Sequence, residues 1–216
     1  MARFDLNKGE RFNLKKSEGL NKIQINLGWK SGADLDACAF LLGGDGVIMD
    51  DADFVYYNSE SRCEPDTLTP APFDRAKYGN KKNWRGETVP FSKDGSVIGS
   101  ADDLGEDDDE GEDAGEEMHV ILDKVNPKIT EIVFCVTIYH GDEENTTFGK
   151  VRDPFISIVN EETDDELCRY NLKENFADET AVVAGSLVCD EEGEWSFEAV
   201  GKGYEGGMQT LIDIYA

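Results

Sequence analysis

The sequence predicts an all-β protein: a two-sheet β-sandwich with a short C-terminal helix and a long acidic loop. Three observations predict it. Short apolar runs with period-two alternation recur at intervals of about ten residues, the spacing of sandwich strands joined by tight turns. Gly, Asn, Asp or Pro stand between those runs. Helical periodicity is rare and is clearest from Met208 to Tyr215, where Met208, Leu211, Ile212 and Tyr215 fall at i, i+3, i+4 and i+7.

Taken in order, KIQINLGW (22–29) places Ile23, Ile25 and Leu27 on one face, as a half-buried strand requires. DLDACAFLL (34–42) sets Leu35, Ala37 and Ala39 on one side and Asp34 and Asp36 on the other. DFVYYN, MHVILDKV, EIVFCVTIYH, PFISIVN, ELCRYNL, TAVVAGSLVC and EWSFEAVGKGY continue the series. A second short helix is expected near Leu172 to Phe176. Trp29, Trp195 and Tyr204 read as sandwich core. Ser59 to Lys93 breaks the rhythm: it carries four of the six prolines and seven basic against five acidic side chains. The reading is therefore one domain over 1–216, with a Pro-rich insertion at 59–93 and an acidic loop at 99–117, and with no internal repeat.

Composition narrows the partners. The formal charge is −26, and setting aside the eleven carboxylates between Asp102 and Glu117 still leaves about −15. Nucleic acid and anionic membranes are disfavoured by repulsion, whereas cations or a basic protein face are attracted. MARFDLNKGERFNL has no apolar core of signal-peptide length, and no run approaches a membrane span. The five cysteines are scattered without CxxC spacing, and Cys38, Cys135 and Cys189 sit in apolar runs as small core residues. A reducing cytoplasm is the expectation.

GSADDLGEDDDEGEDAGEE (99–117) raises the functional question. Two full charges about 4 Å apart repel by roughly 4 kcal/mol at an effective dielectric near 20. A hydrated loop spreads and screens them, whereas a compact one needs a counter-ion. Calcium takes hard oxygen ligands in flexible geometry, which suits an Asp- and Gly-rich loop, and zinc would want His or Cys. The twelve residues from Glu106 nearly spell an EF-hand, with Gly111 at position 6 and Glu117 at position 12. Glu at position 1, Asp113 at position 8 and non-helical flanks count against that motif. Asp34 and Asp36, paired on one face of a strand, offer a stiffer half-site than any loop.

For catalysis, the chain offers only His119 and His140, with His119 set in a strand, and it carries no GxSxG, HExxH or P-loop motif. A non-enzymatic protein is expected.

KGERFNLKK (8–16), NLGW (26–29), DLDACAFLL, DADFVYYN (51–58), LDKVNP (122–127), IVFCVTI (132–138), FGKV (148–151), RYNL (169–172) and EWSFEAVGKGYEGGM (194–208) follow one another along nearly the whole chain. In this order they resemble the motifs of the TerD family of tellurium-resistance and stress proteins. The resemblance implies a two-sheet sandwich whose aspartates bind calcium, two ions on this pattern. It carries over as Asp34 and Asp36; as Asp51, Asp53 and Asn58; and, in the acidic loop, as Asp102, Asp103, Asp113, Glu116 and Glu117. Departures are Lys30, where the family has Asp, a lengthened loop between Leu104 and Glu112, and the 59–93 excursion.

Two functions follow as expectations. One is a calcium-binding module whose ordered loop docks a protein partner in chemical or tellurite stress. The other is a metal-independent interaction or small-ligand sandwich, of the cyclic-nucleotide-binding kind suggested for relatives, with the acids as a solvated surface.

Overall fold

Two six-stranded sheets take up the alternating runs in the computed structural model of the chain, which describes residues 3–14, 20–30, 34–100, 114–139, 141, 146–172 and 176–216. In chain order the strands are β1 Phe4–Leu6, β2 Arg11–Asn13, β3 Lys22–Lys30, β4 Leu35–Gly43, β5 Phe54–Tyr56, β6 Arg62–Cys63, β7 Val89–Pro90 and β8 Val97–Gly99. They continue as β9 Ala114–Ile121, β10 Ile129–Ile138, β11 Arg152–Asn160, β12 Asp165–Asn171, β13 Ala181–Cys189 and β14 Trp195–Tyr204. The first sheet runs β1-β12-β11-β3-β9-β8 and the second β2-β14-β13-β10-β4-β5, while β6 and β7 form a separate pair.

The period-two pattern decides which residues meet between the sheets. Ile23, Ile25, Leu27 and Trp29 of β3 and Met118 and Val120 of β9 point inward, against Leu35, Ala37, Ala39 and Leu41 of β4 and Phe134 and Val136 of β10. The alternate residues of the second sheet, including Cys38, Phe40, Val133, Cys135 and Val183, form another apolar layer on its outer face. That layer is covered by the C-terminal helix, Gly207–Tyr215, whose Leu211 is fully buried. Burying such a leucine contributes about 2 kcal/mol. Beneath this helix Cys38 and Cys135 are Cα partners on neighbouring strands, both free and buried. Burial first, and the Cys38 thiol second, push the Cys135 pKa up.

The Pro-rich excursion is folded. It holds helices α1 (Arg75–Tyr78) and α2 (Lys81–Glu87), capped by Asp74 and Asn80, whose side chains accept from the Ala76 and Asn83 backbone N–H groups. The C-terminal helix is therefore α3. Trp84 of α2 is buried, and its Nε1 donates to the Ala71 carbonyl at 2.7 Å. Arg62 is buried beside it, donating to the Tyr57, Arg85 and Thr88 carbonyls. A buried cation with its donors met by carbonyls is a bracing element rather than a free charge. The excursion lies on the outer face of the first sheet through Cys63, Val89, Phe91, Ile98 and Ile121. The helix expected near Leu172 to Phe176 falls largely on 173–175, outside the described residues. Among the described residues no helix is long and apolar enough to cross a membrane.

Candidate functional site

Register brings part of the expected site to one end of the sandwich. Only residues 31–33 separate the end of β3 from Asp34, so the last residues of β3 and the first of β4 share an end. β9 pairs antiparallel with β3 through Trp29↔Ala114, Gly28↔Gly115 and Leu27↔Glu116. The chain leaving the acidic loop therefore enters the first sheet at the end where Asp34 and Asp36 start the second. β5 runs toward the same end, since Cys38 pairs with Tyr56 and Asn58 follows two residues later. The Tyr139 N–H donates to the Asp34 carbonyl at 2.9 Å, and the Tyr139 ring meets Tyr57 edge-on at 6.1 Å. Of these two tyrosines at the aspartate end, Tyr57 lies in the DADFVYYN stretch and Tyr139 just after IVFCVTI.

Faces divide what ends unite. Asp36 shares the outer face of the second sheet with Cys38 and Phe40. Glu116 shares the inner face of β9 with Met118 and Val120, and its Oε2 accepts from the Ser100 hydroxyl at 2.5 Å. Glu117 is exposed on the opposite surface, beside His119 on the outer face of the first sheet. Lys30 reaches toward Asp153, 3.8 Å away on β11. Asp102, Asp103 and Asp113 lie outside the described residues.

Asp51 and Asp53 stand elsewhere, in a 3-10 turn, Asp51–Asp53, capped by the Asp50 side chain. Phe54 pairs with Phe40, four residues beyond Asp36, so Asp53 is about 13–16 Å along the strand direction from it. Asp53 is 4% exposed, and burial first, then the charges of Asp94 and Asp50, push its pKa up to about 6. The Met49 backbone N–H donates to its carboxylate, and Lys93, ion-paired with Asp50, partly offsets the repulsion. Asp94 is already committed. Its Oδ1 accepts from Ser92 Oγ, Ser96 Oγ and Ser96 N–H, and its Oδ2 accepts from Asn126 N–H at 2.7 Å. This carboxylate ties the β7–β8 turn to the loop before β10. The SKDGS stretch that builds it is an Asx-turn signal open to sequence reading.

Donor chemistry is the test that the described residues allow. Among the described residues, Asp34, Asp36 and Asn58 supply hard oxygen donors at one end, a set that suits calcium better than zinc. Asp53 and Glu117 are too far removed to share that ion. Among the described residues no three His, Cys, Asp or Glu side chains converge closely enough to hold a metal by themselves.

Comparison with known proteins then assigns the chain. The TerD domain model matches residues 1–69 and 88–215. The chain belongs to the TerD family. General stress protein 16U of Bacillus subtilis (strain 168) is 35% identical, over 97% of this chain and 95% of the relative. Tellurium resistance protein TerD of Serratia marcescens is 34% identical over the same shares. A crystal structure of a homologue of telluride resistance protein (TerD) from Streptomyces coelicolor A3(2) shares the fold, with a TM-score of 0.56 at 18% identity over 89% of this chain and 95% of that one. The TerD domain model passes over 70–87, the part of the excursion that holds α1 and α2.

Proposed function

We propose that this TerD-family protein is a calcium-binding, non-enzymatic module of the cytoplasm that docks a protein partner during chemical stress. The single observation that carries the reading is the register of β3, β4 and β9, which brings the stem of the acidic loop to the end where Asp34 and Asp36 lie. In this reading Asp34, Asp36 and Asn58 hold one side of the ion. The remaining oxygen ligands come from the loop carboxylates Asp102, Asp103 and Asp113, with Glu116 at the stem. Bound calcium supplies positive charge that relieves the mutual repulsion of these groups. The stress context comes from the relatives' names, general stress protein and tellurium resistance protein.

Calorimetric titration of the full chain with calcium, and with magnesium as control, tests the proposal. Saturable heat with calcium, lost in the double variant Asp34→Asn and Asp36→Asn, is the expected result. No heat at millimolar calcium would overturn it. That outcome would favour the second reading, a metal-independent interaction protein with solvated acids.

A further inference from the structure

We propose that the groove between the outer face of the first sheet and the turn Glu64–Thr69 binds a small organic cation with an apolar body. The groove has a volume of about 400 Å³, the size of a small-molecule site. Its floor is apolar: Val89, Ile98 and Ile121 from the sheets, with Leu68 at the lip. Its rim is acidic, formed by Asp66, Glu117 and Glu161. Glu161 is occupied, with its Oε1 at 2.6 Å from His119 Nδ1. Asp66 and Glu117 are exposed and have no ion-pair partner among the described residues. Lys22 reaches the same groove but leaves its rim anionic.

The lip is held in place at a cost. Leu68 adopts φ +52, a left-handed conformation uncommon for a branched side chain, and its N–H donates to the Glu64 carbonyl at 2.9 Å. The insertion braces this turn. Lys77 and Tyr78 of α1 both donate to the Glu64 carboxylate, and Trp84 of α2 holds Ala71 just beyond it. The brace is the very segment that the TerD domain model passes over, so this chain's own addition shapes the groove.

Chemistry then selects the occupant. An apolar body removes the floor from water, and its ammonium group is met by the free carboxylates. An anionic ligand would meet three carboxylates. Addition of a peptide strand is blocked, because β8 pairs with β9 on one edge and Ile98 is bridged to Phe91 on the other.

The test is an amide NMR titration of the full chain in EDTA with 4-phenylbutylammonium, against 4-phenylbutyrate as the same body with opposite charge. Saturable shifts are expected at Leu68, Ile98, His119 and Ile121, with the carboxylate binding at least about tenfold more weakly. Glu117→Gln should weaken the ammonium about three- to fivefold. Equal binding of the two probes, shifts scattered over the acidic surface without saturation, or an unaltered affinity in Glu117→Gln would overturn the proposal. Because EDTA removes calcium, failure here is distinguishable from failure of the calcium reading.

Discussion

At the start of strand β4 the aspartates stand at the surface; toward its far end Asp53 is buried among other carboxylates. Asp34 is exposed and Asp36 half-buried. Asp53 has lost water, faces Asp94 and Asp50, and holds its proton up to about pH 6. In the proposed reading the surface end offers its carboxylates to an ion. The other uses them as internal fasteners, with Asp94 accepting from two hydroxyls and two backbone N–H groups. Charge count alone does not separate the two uses. Solvation does.

The largest effect expected from this contrast is calcium-dependent stability. At a hundredfold excess over Kd, bound calcium should raise unfolding free energy by about 2.7 kcal/mol. Chemical denaturation should show that gain lost in the Asp34→Asn and Asp36→Asn double variant and kept in Asp53→Asn. Loss of the calcium response in Asp53→Asn would break the distinction between the ends.

The next effect is a pH dependence at the buried end. The Asp53 pKa rises on folding from 3.8 to about 6. Its contribution is thus favourable below about pH 4 and is lost as pH climbs through 6, which leaves the neutral protein with a charged, buried group. Asp53→Asn should therefore stabilise the protein at pH 7.5 by about 2–3 kcal/mol, with the difference vanishing below pH 4. Melting curves across that range check it.

The smallest effect concerns Lys93, whose ammonium pairs with Asp50 and draws Asp53's pKa down. Lys93→Ala should change stability little at neutral pH, because the pair is exposed. It should also move the Asp53 midpoint upward in a carboxyl NMR titration. A downward movement would show that Lys93 does not act on Asp53 as the geometry requires.

Much of the sandwich was legible, because β3 buries one face by simple alternation and β4, β10 and β13 read as near-continuous apolar runs. The two- and three-residue strands β1, β2 and β6 to β8 are too short to show any period. Helices α1 and α2 hid among prolines, and their caps at Asp74 and Asn80 were the overlooked signal. The site was less legible. DLDA and DADF look interchangeable as pairs of acids, yet the second folds into a 3-10 turn that turns Asp53 inward. The opposite facing of Glu116 and Glu117 also follows from alternation, once the register of β9 is known. Burial of Trp84 within the otherwise mostly exposed KKNWR segment depends on contacts with Arg62 and Ala71, distant in sequence and invisible to a local reading.

Cys38 and Cys135, side by side under α3, give the protein a clock of its own. A thiol reagent should consume the partly exposed Cys189 promptly and reach this pair only when the last nine residues of secondary structure lift from the sheet. The lag between the two reactions would therefore time how often the carboxyl-terminal lid of the sandwich opens, without any label being added.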